Sequence, residues 1–435
     1  MKHKPLAALA LCALCNMPIL AHELAGNDST ATINDVCGVA SRTHKPCDST
    51  INPSHQTSTM NDSSSAAATT GEGKTIHRIA VEAEPGAILH TNEYLYGLNP
   101  EGRTMNHAFT ANLKYAFMAR PGSEEARIYK DCYQGVGVAL HRFNPQLGNP
   151  VSAYVFQGAK IASLSRRLSL NYEWNFGMAF GWKPYDQETN PDNRVIGSKT
   201  TAYINLGFYF KYFISKHFDI YAGASVSHFS NGNTSYPNAG LNTLGGRIGL
   251  AYYINRPGLS ETVGKSRIPE YKRRVYYDLI VFGAWRKRGR MTEYGGYMLP
   301  GTYSVFGFNF NPMVGLSHWV SVGASLDGLL DRSANLLKDE DSIGGDTGKK
   351  PPLRDQMALG LSARAELTMP YFAINVGIGT NVVNRKGDFR GIYEILALKI
   401  KLTKRMMLHI GYELNKFKEP NHLMLGAGWR FGKIK

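Results

Sequence analysis

The sequence predicts an all-β protein, a transmembrane antiparallel β-barrel of the outer-membrane type. Three observations lead to this fold class: side chains that alternate strictly along extended segments, short turns that alternate with long polar loops, and an export signal at the N-terminus. The chain has 435 residues, of which 45 are Gly, 24 are Tyr and only 19% are charged. This length suffices for one large barrel or for two or three ordinary domains.

The N-terminus reads as an export signal followed by a linker. Lys2 and Lys4 precede a short apolar run, and Ala21 ends a small-residue cleavage site. The apolar run is too short to cross a membrane as a helix. We therefore predict a signal peptide over residues 1–21. Residues 22–75 are rich in Ser, Thr, Asn and Asp without periodicity, which predicts a disordered linker.

Three cysteines remain after removal of the signal peptide: Cys37, Cys47 and Cys132. An exported protein meets an oxidising compartment, so Cys37 and Cys47 either pair across their short spacing or stay free, and the sequence leaves both open. The sequence has no metal-ligand cluster, P-loop or dinucleotide fingerprint. We therefore predict neither a metal nor a cofactor.

The formal net charge of +15 becomes +13 when Lys2 and Lys4 leave with the signal peptide. The polyanion that an exported protein meets need not be nucleic acid, because phosphorylated lipid at a cell surface suits this charge equally well. We expect no nucleic-acid partner. A charge that serves only solubility is the alternative.

The clearest strand lies in residues 167–183. Eight apolar side chains fall on one face, and polar or small side chains such as Asn171 and Glu173 fall on the other. The apolar face holds Leu168, Leu170, Tyr172, Trp174, Phe176, Met178, Phe180 and Trp182. A strand that crosses a bilayer needs roughly 9–11 residues with this pattern. Residues 203–214 repeat the pattern, and a soluble β-sandwich would not carry so long an unbroken alternation.

Short and long connections alternate along the chain. Turns of a few residues join apolar strand ends, and between them lie the longer polar loops 183–198, 288–301, 331–354 and 383–390. Outer-membrane barrels place short turns in the periplasm and long loops outside. The last strand carries Trp429 and Phe431 on its apolar face, and such a terminal aromatic strand resembles the signal read by the outer-membrane barrel assembly machinery.

We count sixteen candidate strands between about residues 86 and 432, of which the first two are the least certain. A long link at residues 255–273 divides them into halves at 76–254 and 274–435. The chain forms either one barrel of about 14–16 strands, which we favour, or two tandem eight-stranded barrels. Closure is physically sound for eight strands as for sixteen.

A candidate site lies at the outer end of one strand, in the sequence DIYAGASVSHFS. His228 and Ser230 continue the apolar face of Ala224 and Val226, so we expect them to face lipid. On the next strand, Asn242 shares a face with apolar side chains. Barrels usually keep polar groups in the lumen, so three polar residues at the rim of the lipid face stand out.

These residue types suit nucleophilic catalysis. Positions i and i+2 of a strand lie roughly 6.5–7 Å apart, a gap that an imidazole and a hydroxyl can bridge. An amide such as that of Asn242 can hold the imidazole, as in Cys-His-Asn enzymes. Asn238 and the backbone around Asn231 and Gly232 can supply donors to an oxyanion. The alternative is a pair of polar rim residues without chemistry.

At this point the sequence resembles a known family. The stretch His228-Phe229-Ser230-Asn231, followed by Pro237-Asn238-Ala239-Gly240-Leu241-Asn242, is similar to the signature of outer-membrane lipid A 3-O-deacylases, the PagL-like acyloxyacyl hydrolases. Members are eight-stranded barrels that hydrolyse an ester-linked acyl chain on lipopolysaccharide. The resemblance covers roughly residues 86–254 and implies Ser230 as nucleophile, His228 as base and Asn238 near the oxyanion.

The sequence departs from this family at one position. The family carries a glutamate as third member of the triad, and the corresponding position here is Asn242. No acidic residue lies between Asp219 and Glu261, so the orienting group is neutral. The second half has no His-x-Ser, so if it is a second copy, it has lost the chemistry.

A basic cluster of Arg286, Lys287, Arg288 and Arg290 is expected at the outer end of its strand. We predict that it contacts the phosphates of lipid A in the outer leaflet, whereas a solvated loop without a ligand is the alternative. Two functions therefore stay open at this point. One is an outer-membrane serine esterase acting on lipid A, and the other is a porin or a transporter of lipids or hydrophobic compounds; the oligomeric state is open too.

Overall fold

The computed structural model describes residues 74–258, 267–292, 295–337, 348–415 and 419–432. The predicted signal peptide, the linker up to residue 73, Cys37 and Cys47 lie outside this part of the chain. Sixteen strands form two closed antiparallel barrels of eight strands each. The preference for one large barrel is therefore wrong, and the tandem arrangement is confirmed.

The first barrel closes because its last strand pairs with its first, as in the register of Val81 with Leu250. Its strands are β1 (Ile76–Leu89), β2 (His107–Met118), β3 (Tyr133–Arg142), β4 (Gly148–Ser163), β5 (Leu168–Trp182), β6 (Thr200–Phe213), β7 (Phe218–Ser230) and β8 (Leu241–Ile254). Two short helices, α1 (Glu93–Tyr96) and α2 (Glu124–Ile128), lie in its connections.

The second barrel closes in the same way, with Trp429 of the last strand opposite Leu279 of the first. Its strands are β9 (Arg274–Arg286), β12 (Tyr303–Gly315), β13 (Val320–Asp331), β14 (Met357–Thr368), β15 (Phe372–Val383), β16 (Ile392–Lys401), β17 (Met406–Asn415) and β18 (Glu419–Gly432). The connection after β9 forms a separate hairpin of β10 (Gly289–Thr292) and β11 (Gly295–Met298), and 3₁₀ turns occupy Leu353–Gln356 and Gly387–Phe389.

Both walls show the alternation that the sequence predicts. On β2, for example, Leu113 and Tyr115 are exposed, whereas Asn112 and Lys114 are buried inside. In the described part of the chain, no helix has the length and hydropathy to cross a membrane. One side chain departs from its predicted face: Gly181 adopts a φ of +94°, so Trp182 is buried instead of facing lipid.

Charged side chains fill the interior of the first barrel. The ammonium group of Lys114 lies 2.6 Å from a carboxylate oxygen of Glu82 and 2.7 Å from one of Glu173. The guanidinium of Arg247 lies 3.1 Å from Glu84 and 3.3 Å from Glu173. An eight-stranded barrel is just wide enough for such side chains. The interior is therefore a packed ionic core.

The second barrel has an ionic core of its own. Lys399 lies 2.9 Å from Asp278 and 2.6 Å from Glu366, and Arg430 bridges the same two carboxylates at 2.7 and 2.9 Å. All four residues are buried or nearly so. Each barrel thus pairs its interior cations with its own carboxylates.

The two barrels pack side by side through their outer walls. Trp174 of β5 meets Phe372 of β15 edge to face, with ring centroids 5.1 Å apart. A buried apolar cluster surrounds this contact and includes Ile374, Leu398 and the half-buried Leu206. At the short-turn end, the hydroxyl of Tyr129 donates a hydrogen bond to the carbonyl of His318 at 3.1 Å. We call this contact region the seam.

Candidate active site

The rim of the first barrel brings His228 and Asn242 together on neighbouring strands. The register of β7 and β8 places the two residues directly opposite each other. On β7, Ser227 and Phe229 are buried in the interior, while His228 and Ser230 point outward and are half-buried. The three polar residues therefore lie on the outer wall of the barrel, at the end that carries the long loops.

A hydrogen bond joins the two facing side chains. Nδ1 of His228 lies 2.7 Å from Oδ1 of Asn242. An amide oxygen only accepts, so the proton of the ring belongs on Nδ1 and the lone pair on Nε2. The imidazole is thus held in the tautomer that a general base requires.

Gly240 lies against both His228 and Ser230. A Cβ placed on this glycine would lie 3.0 Å from Cε1 of His228 and 3.7 Å from Cβ of Ser230. The residue has a φ of +75°, which favours glycine, and its N–H donates to the carbonyl of Val195 at 3.1 Å. We infer that a larger residue here would press on the histidine ring. Sequence reasoning missed this residue, and its only signal was a glycine inside the family-like stretch.

Residues 231–240 form the loop that leaves Ser230, here called the catalytic loop. The N–H of Asn231 donates to Oδ1 of Asn238 at 2.8 Å, and Nδ2 of Asn238 donates to Oδ1 of Asn233 at 3.2 Å. Gly232 follows with a φ of +61°. The three residues predicted for the oxyanion are thus part of one hydrogen-bonded loop beside Ser230, and their role stays a prediction.

The loop between β5 and β6 supports the catalytic loop. Buried Asn193 accepts the N–H groups of Val195 and Ile196, each at 3.1 Å, and so shapes the segment that binds Gly240. The backbone of Gly197 lies so close to the carbonyl oxygen of Pro237 that a Cβ on this glycine would clash with it, so the two loops touch through their backbones. No local pattern in the sequence indicates this support.

The basic cluster is divided between different environments. Arg286 is buried and lies 3.1 Å from Asp331, and Arg288 lies 2.7 Å from Asp388. Lys287 instead lines a cavity of about 440 Å³ at the rim, and Arg290 lies on β10. The end of β9 explains the separation, because Arg286 is its last residue, Lys287 and Arg288 lie in the connection that follows, and Arg290 lies on β10.

The cavity at Lys287 is built from both barrels. Tyr185, Gln187 and Tyr236 come from loops of the first barrel, while Lys287 and residues 298–301 come from the second. Tyr236 belongs to the catalytic loop, and a Cβ on Gly289 would lie 3.1 Å from its ring. The cavity therefore adjoins the loop that carries the predicted oxyanion donors.

The arrangement can activate a hydroxyl at a lipid-facing surface. It combines an oriented imidazole, a serine on the same face and a loop rich in amides. In the residues that the structure describes, no group of three His, Cys, Asp or Glu side chains is placed to hold a metal ion.

Comparisons with solved structures show similarity to several membrane proteins. Neisserial surface protein A is 10% identical and covers 41% of this chain and 98% of its own, with a TM-score of 0.27. The ferric enterobactin receptor PfeA of Pseudomonas aeruginosa, in a mutant form, is 10% identical over 78% of this chain and 44% of its own, with a TM-score of 0.22. A mutant porin of Rh. blastica is 5% identical over 82% and 100%, with a TM-score of 0.15.

Family models match both halves of the chain, although no curated protein matches it. Residues 133–251 match the model described as lipid A 3-O-deacylase (PagL). Residues 275–433 match the model described as acyloxyacyl hydrolase, C-terminal domain. Together the two matches cover most of the chain, which therefore belongs to the PagL-like family of outer-membrane lipid A 3-O-deacylases, or acyloxyacyl hydrolases.

Proposed function

We propose that the protein is a serine esterase that removes an ester-linked, 3-hydroxyacyl-type chain from the lipid A of lipopolysaccharide. The observation that carries this proposal is the hydrogen bond of His228 to Asn242 on the same outward face as Ser230. Family membership supplies the substrate class. The residue types at this site suggest the serine-esterase mechanism.

In the proposed reaction, Oγ of Ser230 attacks the ester carbonyl while Nε2 of His228 accepts the hydroxyl proton. The tetrahedral intermediate collapses by breaking the bond from the carbonyl carbon to the sugar oxygen, which takes the proton back from His228. Water, deprotonated by the same nitrogen, then attacks the acyl-serine. The second tetrahedral intermediate collapses by breaking the bond from the carbonyl carbon to Oγ, which takes the proton back from His228. The products are a free fatty acid, lipid A with a free sugar hydroxyl, and the regenerated serine.

Asn242 acts in this scheme as the group that orients the base. Its oxygen fixes the ring and leaves the lone pair of Nε2 free to accept a proton, as a carboxylate would. An amide stabilises the imidazolium less than a carboxylate does, because a charge-assisted hydrogen bond is stronger than a neutral one. We therefore expect turnover with a smaller contribution from this residue than from an acidic one.

Asn231, Gly232 and Asn238 are the proposed oxyanion donors. The N–H of Asn231 now donates to Asn238, within the loop that begins directly after the nucleophile. An oxygen that gains negative charge beside Ser230 is a stronger acceptor than a neutral amide. We propose that it replaces Oδ1 of Asn238 as the partner of this N–H in the transition state.

The acyl chain would lie along the outer wall below Ser230. Ala224 is exposed there, and its partners across the two neighbouring strands are Phe208 and Gly246. Ala224 has only a methyl group and Gly246 has no side chain, so we propose a shallow depression here in an otherwise apolar wall. A substrate ester just below the headgroups can reach the serine without leaving the membrane.

We propose Lys287 as the member of the basic cluster that binds a phosphate of the substrate. It lines the rim cavity, whereas Arg286 and Arg288 already pair with carboxylates. The hydroxyls of Tyr185 and Tyr236 belong to the same cavity and suit a phosphorylated sugar. Arg286 and Arg288 have primarily structural partners. The role of Arg290 stays a prediction.

The porin and transporter alternatives have no specific support. Lys114, Arg247 and their carboxylates occupy the interior of the first barrel. The polar rim residues face outward rather than toward this interior. A solute path through the first barrel would have to displace a packed ionic core.

The test is to incubate the purified, folded protein with lipopolysaccharide and to detect loss of a hydroxyacyl chain by mass spectrometry. We expect Ser230→Ala and His228→Ala to lower the rate by about a thousandfold or more, while both barrels keep their heat-modifiable mobility in electrophoresis. The matched control is Ser163→Ala, which changes an exposed serine at the short-turn end of β4. Full activity of Ser230→Ala would remove the serine from the mechanism.

A further inference from the structure

The catalytic loop touches the second barrel. A Cβ placed on Gly232 would lie 3.4 Å from Cε2 of Tyr412 and 3.5 Å from Cδ1 of Leu423, which is ordinary van der Waals contact. Gly232 is two residues from Ser230. The barrel that lacks the His-x-Ser motif thus reaches the immediate neighbourhood of the proposed nucleophile.

Tyr412 and Leu423 form a pair on the outer wall of the second barrel. They lie directly opposite each other on β17 and β18. Both point outward and are only half-exposed, whereas Leu408 and Leu425, further along the same outward faces, are 41% and 37% exposed. The pair is therefore part of a covered patch at the rim.

The seam continues this patch toward the short-turn end. Leu206 of β6 packs against the inter-barrel cluster, and its partner across the strand pair is Val226 of β7. Val226 shares its outward face with His228 and with exposed Ala222 and Ala224. The wall below Ser230 thus runs beside the line where the two barrels meet.

We propose that the second barrel forms one wall of the substrate site, with Tyr412 and Leu423 holding the catalytic loop and bounding a groove for the acyl chain. The opposite wall is the outward face of β7, and the seam at Leu206 forms the floor. The occupant is one acyl chain of lipid A. This inference rests on the proposed function and assigns a substrate-binding role to the second barrel.

The apolar lining of the groove matches an acyl chain. Both walls are apolar, and the small side chains of Ala222 and Ala224 leave space on one side. An acyl chain of defined length gains binding energy of about 0.8 kcal/mol for each buried CH₂ group. A groove of fixed length that is bounded on one side by Tyr412 and Leu423 would therefore select chains by length.

The experiment compares variants of the pair in the full-length protein on lipopolysaccharide. We expect Tyr412→Ala and Leu423→Ala each to lower the deacylation rate by about fivefold and to change the chain-length preference of the released acids. Phe306→Ala, an exposed residue on the outer wall at β12, is the control and should stay within about twofold of the wild type. The inference is overturned if both pair variants release acyl chains at the same rate as the control and with the same distribution of chain lengths.

A filling substitution tests the groove if the alanine variants fold poorly. Leu423→Trp adds volume to the wall formed by the second barrel and narrows the groove, so hydrolysis of long chains, which depend most on contacts in the groove, should fall more than hydrolysis of short ones. An equal effect on all chain lengths contradicts a groove at this position.

Amide hydrogen exchange of residues 231–240 separates this inference from the proposed function, because it requires no turnover. The loop amides should exchange about tenfold faster in the Tyr412→Ala, Leu423→Ala double variant than in Phe306→Ala. Unchanged exchange contradicts the contact. If the double variant exchanges faster but the wild-type protein releases no acyl chain, the contact is retained and the esterase is rejected.

Discussion

The two barrels share one architecture but present different residues at the rim of their outer walls. Each has eight strands, an apolar outer surface and an ionic core. At the outer end of β7 the first barrel presents His228 and Ser230, whereas β17 presents Tyr412 and Leu414. The barrel and the candidate site therefore depend on different residues. Alternating side chains and interior charge pairs form the wall, and three polar residues at one rim form the candidate site.

The ionic cores provide the largest expected effect on stability. Lys114→Met in the first barrel and Lys399→Met in the second each leave two buried carboxylates with fewer partners. Breaking such a pair costs about 3–5 kcal/mol. We expect losses of this size in the free energy of unfolding in detergent for both variants.

Lys160→Met is the control for these variants. Its pair with Asp131 is short, at 2.6 Å, but partly exposed, so its loss should cost about 1 kcal/mol or less. A small effect at Lys114 with a large one at Lys399 would show that the two interiors are not equivalent.

Substitutions of Asn242 test whether the rim of the first barrel, unlike that of the second, carries a functional general base. Asn242→Ala removes the hydrogen bond to His228 and should lower turnover about tenfold or more. Asn242→Glu introduces the acidic residue that the resemblance implies at this position, and it should keep or raise the rate. Turnover of Asn242→Ala at the wild-type rate would mean that another group orients the ring.

Ala224 tests the outer wall of the first barrel as the place of the acyl chain. Ala224→Trp fills the depression below Ser230 and should lower the rate about tenfold or change the chain preference. Val136→Trp, on the exposed outer face of β3, is the control and should act like the wild type. Equal effects of the two variants would move the substrate away from this wall. Ser225 is a poor control because it is buried and hydrogen-bonded to Glu84 at 2.9 Å.

Lys287 is expected to have the smallest effect. Lys287→Gln should raise the KM for lipopolysaccharide about threefold with little change in kcat, since a partly exposed charge contact contributes 1 kcal/mol or less. The effect should weaken as salt is added. Lys216→Gln, in a turn at the opposite end of the first barrel, is the control. A KM for Lys287→Gln that matches this control at all salt concentrations counts against headgroup binding.

Local patterns in the sequence were sufficient to predict the strands and the faces of the wall. Period-two alternation identifies a strand because it depends only on neighbouring residues, and it placed His228, Ser230 and Asn242 on the outward face where the structure has them. It failed at Trp182, where the left-handed backbone of Gly181 changes the face. It also left the ionic cores unnoticed, because pairs such as Lys114 and Glu173 join distant strands.

Long-range features could not be predicted in this way. Whether β8 closes on β1 or continues into a larger barrel depends on which edge it meets, and alternation contains no such information. The support of the catalytic loop by Asn193, Tyr412 and Leu423 likewise comes from segments far along the chain. The basic cluster was misleading because β9 ends within it, so residues that are adjacent in sequence lie in different elements.

The central claim is that chemistry occurs at Ser230, on the outer wall of the first barrel, with His228 as its base. An alkyl fluorophosphonate, which reacts with activated serines, tests this claim directly when the labelled site is mapped by peptide mass spectrometry. We predict one adduct, on Ser230, which is lost in His228→Ala and retained in Ser163→Ala. An adduct on another residue, or equal labelling of Ser230 in His228→Ala, would contradict the account.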